Sequence, residues 1–160
     1  MMKKFFPYIV AAFVLGLDQW VKIIIRQSMF LGESVPVIGK FLSLTYIENE
    51  GVAFGLFSGH TTAFILVSLL ILIGLIIFAW KENSQSLLLQ YGVALVVSGA
   101  LGNIIDRALK ASVTDMFDVH IWPIFNIADI AVCIGFFLLV LYLFFGSEET
   151  NEERNCSHSK

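Results

Sequence analysis

Twenty consecutive residues, Thr61–Trp80, carry no charged side chain. At 1.5 Å per residue, a helix of that length crosses a hydrocarbon layer of about 30 Å. Three further apolar runs are of similar length: Phe5–Val21, preceded by Lys3 and Lys4; Leu87–Ile105; and Ile124–Phe145, interrupted by one acid, Asp129. Four transmembrane helices are therefore predicted. Composition agrees, since the 160 residues are 58% apolar and 14% charged, whereas a soluble domain carries about 25% charged residues. A globule of this size in water has too little interior for so much Leu, Ile, Val and Phe. A soluble enzyme, a disordered linker and a disulfide scaffold are disfavoured. The net charge of −3, with no Lys/Arg stripe, disfavours nucleic acid as a partner.

The first run has basic residues ahead of an apolar core, as a cleavable signal peptide does. It lacks a small-x-small cleavage pattern and ends in Asp18-Gln19-Trp20, so it is read as a retained helix. An even number of spans places both termini on one side. Lys3, Lys4, Lys81, Arg154 and Lys160 fall on that side, and Lys22, Arg26, Lys40, Arg107 and Lys110 on the other. The positive-inside rule is thus tied, and Lys3 and Lys4 at the very start tilt the reading toward termini inside. Between spans one and two, Phe41–Ile47 alternates like a strand and precedes the glycine-rich Gly51–Gly55. A short β-ribbon at the membrane surface is expected there, with Gly51–Gly55 as a mobile lid. Residues 81–86 form a tight polar turn, and the glutamate-rich 146–160 a solvated tail.

The acids are unevenly placed. The eight glutamates sit in loops and tail, while the five aspartates, Asp18, Asp106, Asp115, Asp118 and Asp129, all lie in or beside a span. A charge at the centre of a membrane helix costs about 2.5–3.5 kcal/mol on insertion scales, so these groups must find partners. Asp18 and Lys22 are i, i+4 and share a face with Arg26. Asn103, Asp106 and Arg107 form one patch at the end of span three, and Asn126 and Asp129 are i, i+3 at the start of span four. With termini inside, all three patches fall at one depth, toward the outer leaflet, and one depth implies one site.

Plainer readings stand beside this one. Asp18 with Lys22 reads equally as a structural ion pair or as substrate-facing. Asn103, Asp106 and Arg107 read first as hydrogen bonds between helices or to loops. Gly99, Gly102 and the Ser98-x-x-x-Gly102 pattern mark close helix packing. Asp118 and His120 are expected to be solvated, and Cys133 to be core. The cysteines (Cys133, Cys156) and the three histidines have no metal-ligand spacing, and no HExxH is present, so no metal or cofactor is expected. Asp129 resists a plain reading because it lies in an apolar helix with no basic residue within a turn. Asp115, in the connection between spans three and four, is positioned to fold back over the start of span four. Two carboxylates in one low-dielectric site share a proton, one serving as base toward water and the other as acid toward the scissile group.

The ordered blocks Asp18-Gln19-x-x-Lys22, Asn49-x-Gly51-x-Ala53-Phe54, Gly99-Ala100-Leu101-Gly102-Asn103-x-x-Asp106-Arg107, Thr114-Asp115-Met116-Phe117 and Phe125-Asn126-Ile127-Ala128-Asp129 resemble lipoprotein signal peptidase (signal peptidase II). The resemblance runs from about residue 5 to 145. It implies an all-α integral membrane fold of four transmembrane helices (about 5–25, 61–80, 87–107 and 124–145) with a small extracytoplasmic β-cradle between helices 1 and 2. Residues 1–146 form a single protease domain, and 147–160 a polar cytoplasmic tail. The implied activity is that of an intramembrane aspartyl endopeptidase of the bacterial cytoplasmic membrane. It removes signal peptides from diacylglyceryl-modified prolipoproteins, cutting before the lipidated cysteine. Those prolipoproteins and membrane lipids are the implied partners, and the enzyme is expected to be a monomer. Asp115 and Asp129 match the catalytic pair, and Asn126 the asparagine that positions it. Asn103, Asp106, Arg107, Asp18 and Lys22 match polar residues of the site, while Asn49 and Gly51 match residues of the cradle. Val52 and Thr114 depart from the usual alanine and valine of these blocks without loss of size.

A small transporter is the competing class, but its charges would spread through the membrane depth on repeated halves. A non-enzymatic anchor subunit leaves Asn126 and Asp129 without a use. The absence of GxSG and GxGD blocks excludes serine and presenilin-like intramembrane proteases at the motif level.

Overall fold

The computed structural model describes residues 5–51, 61–82 and 85–146. Its elements run α1 (Phe6–Ser28), β1 (Ser34–Ile38), β2 (Leu42–Asn49), α2 (Thr61–Glu82), α3 (Leu87–Lys110), β3 (Val113–Asp118) and α4 (Ile127–Leu141), which continues into a π-helical turn at Tyr142–Gly146. The four predicted spans are all helices long and apolar enough to cross a membrane. Val52–Gly55, four of the five residues of the expected lid, and the tail 147–160 lie outside the described residues.

Helix α3 is the hub. It packs on α4 most extensively, then on α1, and α2 leans chiefly on α3 alone. Small residues set the α3–α4 spacing, as the Ser98-x-x-x-Gly102 pattern implies. A Cβ at Gly99 would collide with the Ala128 carbonyl, and one at Gly135 would lie 2.7 Å from the Gly92 carbonyl. In a bilayer, where leucine gains nothing from leaving the lipid, such close backbone contact is what holds helices together. Cys133 departs from expectation. It is exposed on α4, because the lipid-facing side of a span accepts apolar groups as readily as the interior does.

The strand region is larger than the sequence suggested. Three antiparallel strands lie in the order β1-β2-β3, so the connection between spans three and four is itself a strand. Helix α3 ends on Ala111 in the left-handed conformation, φ 64°, which turns the chain directly into β3. There Glu48 pairs with Thr114 and Ile47 with Asp115, and the bridge Phe117↔Phe125 ties the end of β3 to the entry of α4. Pro36 sits in β1, an edge strand, where its missing N–H costs no ladder bond.

Candidate active site

The site starts from a helix cap. Asn126 is the N-cap of α4: its side chain accepts the Asp129 backbone N–H (2.9 Å), and the Asp129 carboxylate accepts the Asn126 N–H (3.1 Å). This reciprocal capping box satisfies two orphan donors and places a carboxylate where the helix dipole favours it. A third orphan, Ala128 N–H, donates to Asp18 Oδ1 at 2.9 Å. The hydrogen-bond partner that Asp129 lacked on its own helix is no base, although the Arg107 charge lies within electrostatic reach of it. That partner is Asn103 of α3, whose Nδ2 donates to Asp129 Oδ1 at 2.8 Å.

Asp115 reaches the same place from β3. Asn126 Nδ2 donates to its Oδ1 at 2.6 Å, and Asn49 Nδ2 of β2 donates to its Oδ2 at 3.0 Å. Asn126 thus holds Asp115 with its side chain and Asp129 with its backbone, and also touches Asn103 Oδ1 at 3.1 Å. Burial, with the Asp129 charge nearby, pushes Asp115 up from the usual carboxylate range to about 6, against the pull of the Asn49 and Asn126 amides and Lys22. Gly51 is buried and donates its N–H to Asn49 Oδ1 (3.2 Å), steadying the amide that faces Asp115.

Beneath this pair lies a second polar layer. Lys22 is fully buried, 2.9 Å from Asp18, 3.0 Å from Asp106, and donates to Asn103 Oδ1 at 3.1 Å. Arg26 approaches Asp106 at 3.6 Å. Two acids and two bases make the layer formally neutral, and among the described residues no buried side-chain N or O lacks a partner. Asp18 and Lys22 form an ion pair with exposures of 1% and 0%. Asp106 pairs with Lys22 and Arg26 rather than with the adjacent Arg107. Adjacent helix positions point about 100° apart, so Arg107 leaves that face. Its guanidinium lies over the Phe64 ring of α2, 5.6 Å from the centroid. Gly102 makes room for the layer, since a Cβ there would lie 2.6 Å from Asp18 Oδ2.

All ten predicted site residues fall within or around this assembly, while Asp118 and His120 stand apart. Asp118 is only part-solvated, since it ends β3 and accepts from Thr45 and from the His120 N–H (3.1 and 2.8 Å). Three participants lie outside the ten, although Arg26 was read on the Asp18–Lys22 face and Gln19 within its block. Gln19 Nε2 joins Asp18 to the Gly102 carbonyl, Arg26 donates to Thr114 Oγ1, and Glu48 binds that same hydroxyl. Gln19 and Arg26 did carry a signal, as polar residues on the Asp18–Lys22 stretch of an apolar helix.

Comparison with known proteins gives the family. The family model described as signal peptidase (SPase) II matches residues 10–145. The lipoprotein signal peptidase of Halothermothrix orenii is 40% identical over 136 residues, covering 85% of this chain and 93% of its own. That of Staphylococcus aureus (strain MRSA252) is 41% identical over 150 residues, covering 89% and 92%. A bacterial membrane enzyme solved by the in meso method at 2.3 Å resolution superposes with a TM-score of 0.82 at 39% identity, covering 89% of this chain and 90% of that one. The chain, a multi-pass bacterial membrane protein, belongs to the signal peptidase II family of peptidases.

Proposed function

We propose that this protein is an aspartyl endopeptidase that cleaves signal peptides from diacylglyceryl-modified prolipoproteins, with Asp115 and Asp129 as its dyad. The observation that carries the reading is that one asparagine, Asn126, binds both carboxylates. Carboxylates so coupled hold one proton between them at working pH, and burial favours Asp115 as its holder.

The chemistry follows from that sharing. The ionised carboxylate takes a proton from a water molecule as its oxygen attacks the scissile carbonyl carbon. The protonated carboxyl gives its proton to the carbonyl oxygen, so a neutral tetrahedral diol forms. On collapse the C–N bond breaks, the departing nitrogen takes the proton held by the first carboxylate, and the second recovers its own. Asn49, Asn103 and Asn126 hold the two carboxyls in place throughout, so little reorganisation is needed at the moment of reaction.

Access is lateral. Helices α2 and α4 each pack on α3 rather than on one another, which supports entry of an acylated substrate helix from the bilayer between them. Arg107 and Phe64 stand at the α2–α3 edge of that opening. The termini face the cytoplasm and the dyad lies toward the outer leaflet.

The test is cleavage of a diacylglyceryl-modified prolipoprotein by the purified protein in detergent. Asp115→Asn and Asp129→Asn each keep the shape but cannot share the proton, and each should cost at least about 100-fold in turnover. Full activity in either variant would sink the dyad assignment. A wild-type protein inert toward the lipidated substrate would sink the function.

A further inference from the structure

The strand that carries Asp115 is gripped from both faces. On one face Asp115 meets Asn49 and Asn126. Thr114, one residue earlier, points to the opposite face, because side chains alternate along a strand, and it is fully buried. Its cross-strand partner is Glu48. Thr114 Oγ1 donates to Glu48 Oε1 at 2.9 Å and accepts from Arg26 at 3.1 Å, with Lys110 Nζ at 3.5 Å. Its backbone N–H donates to Asp106 Oδ2 at 3.3 Å.

Glu48 gathers the rest of the loop. Ser112 donates to Oε2 at 2.6 Å, Tyr46 to Oε1 at 2.8 Å, and Lys110 reaches Oε1 at 3.4 Å. Burial alone would push this carboxyl up, but the Ser112, Tyr46 and Thr114 hydroxyls and the Lys110 charge hold it below the usual carboxylate range. Four donors, from β2, β3, the end of α3 and the turn between α3 and β3, thus converge on an ionised acceptor at neutral pH. Among the described residues, no other acid outside the helices accepts from Ser112 or Thr114.

We propose that Glu48 is a positioning residue for the peptidase reaction: through Ser112 and Thr114 it fixes the height and register of β3, and so the approach of Asp115 to Asp129. The inference rests on the proposed dyad. Glu48 touches neither carboxylate, so its removal should lower kcat and leave KM nearly unchanged. A displacement of the order of 1 Å in a reacting group is enough to cost about 100-fold, so a loss of about 10-fold is expected for a partial slackening.

The experiment measures kcat and KM per folded molecule for wild type, Glu48→Ala, Thr114→Val, the double variant and Thr114→Ser, with Asp115→Asn as the inactive reference. The expected result is a fall of about 10-fold in kcat for each of Glu48→Ala and Thr114→Val, with KM within a factor of about two. The double variant should be no slower than the slower single one, because both cut the same linkage. Thr114→Ser retains the hydroxyl and should recover most of the rate. Unchanged kcat in Glu48→Ala, or losses that multiply in the double variant, would overturn the proposal. If Glu48→Ala does not fold, the Thr114→Val and Thr114→Ser pair decides, since equal kcat in those two would also overturn it. A wild-type enzyme inactive on lipidated substrate, or an active Asp115→Asn, refutes the dyad itself and the inference falls with it.

Discussion

Helices α2 and α3 have nearly the same length, and both can span a bilayer, yet the protein uses them in opposite ways. Helix α2 buries 6% of its spanning window and α3 33%. The more apolar helix is the less buried one. In water that would be a paradox, but in lipid an exposed leucine costs nothing, and burial is reserved for groups that lipid cannot satisfy. Helix α3 carries those groups: Asn103 and Asp106 for the polar layers, and Gly92, Gly99 and Gly102 for close approach to α4 and α1. Helix α2 keeps its single glycine, Gly74, in open space, with nothing within 4 Å of the Cβ it lacks.

The contrast is open to direct challenge. The largest effect lies at the proposed dyad, where Asp115→Asn or Asp129→Asn should lower turnover at least about 100-fold; prolipoprotein cleavage measures it, and no substitution on the lipid face of α2 should approach it. Next comes the buried cation that α3 shares with α1. Lys22→Met leaves Asp18 and Asp106 short of a partner, which should destabilise the protein by about 3–5 kcal/mol. Lys81→Met, at the exposed end of α2, should stay within about 0.5 kcal/mol, and denaturation in detergent compares the two. The glycines give a smaller and more pointed test. Gly99→Ala drives a methyl into the Ala128 carbonyl and should cost about 1–3 kcal/mol, whereas Gly74→Ala should be neutral or stabilising by up to about 1 kcal/mol. Equal effects at the two positions would refute the division of roles.

The smallest effect separates stability from chemistry within the site. Asp115 has a folded-state pKa of about 6, above its usual range, so its protonated form is the one folding favours. Its stabilising contribution is present below about pH 4 and is lost as pH rises through 6. Asp115→Asn has no such loss. Its thermal midpoint should therefore gain on that of wild type by a few degrees between pH 5 and pH 7, even as cleavage fails. A gap that does not change with pH would show that burial of Asp115 carries no such cost.

Much of this was legible before any geometry. The spans announce themselves because their signal is a local sum over some twenty residues. The gathering of Asp18, Asp106 and Asp129 at one level follows because helix rise converts sequence position into depth. Other features were not legible. Val113–Asp118 was read as a folded-back connection, and it is a strand only because β2 offers it a partner across the membrane loop. Cys133 was read as core, and which side of α4 faces lipid depends on where α3 packs. Glu48 was passed over as one more loop acid, since nothing near it in the chain shows that Ser112 and Thr114 will converge on it.

The sequence by itself determined the solvent of this protein, the number of its spans, and the depth at which its polar residues gather, all quantities fixed by composition and spacing along one chain. Tertiary structure decided the pairings. Lys22 took Asp106 as well as Asp18, Asp106 turned from its neighbour Arg107, and Asn126 came to hold two carboxylates that are fourteen positions apart. The physical reason is that a buried charge chooses its partner by distance in a low dielectric, where a few ångströms outweigh any proximity in sequence.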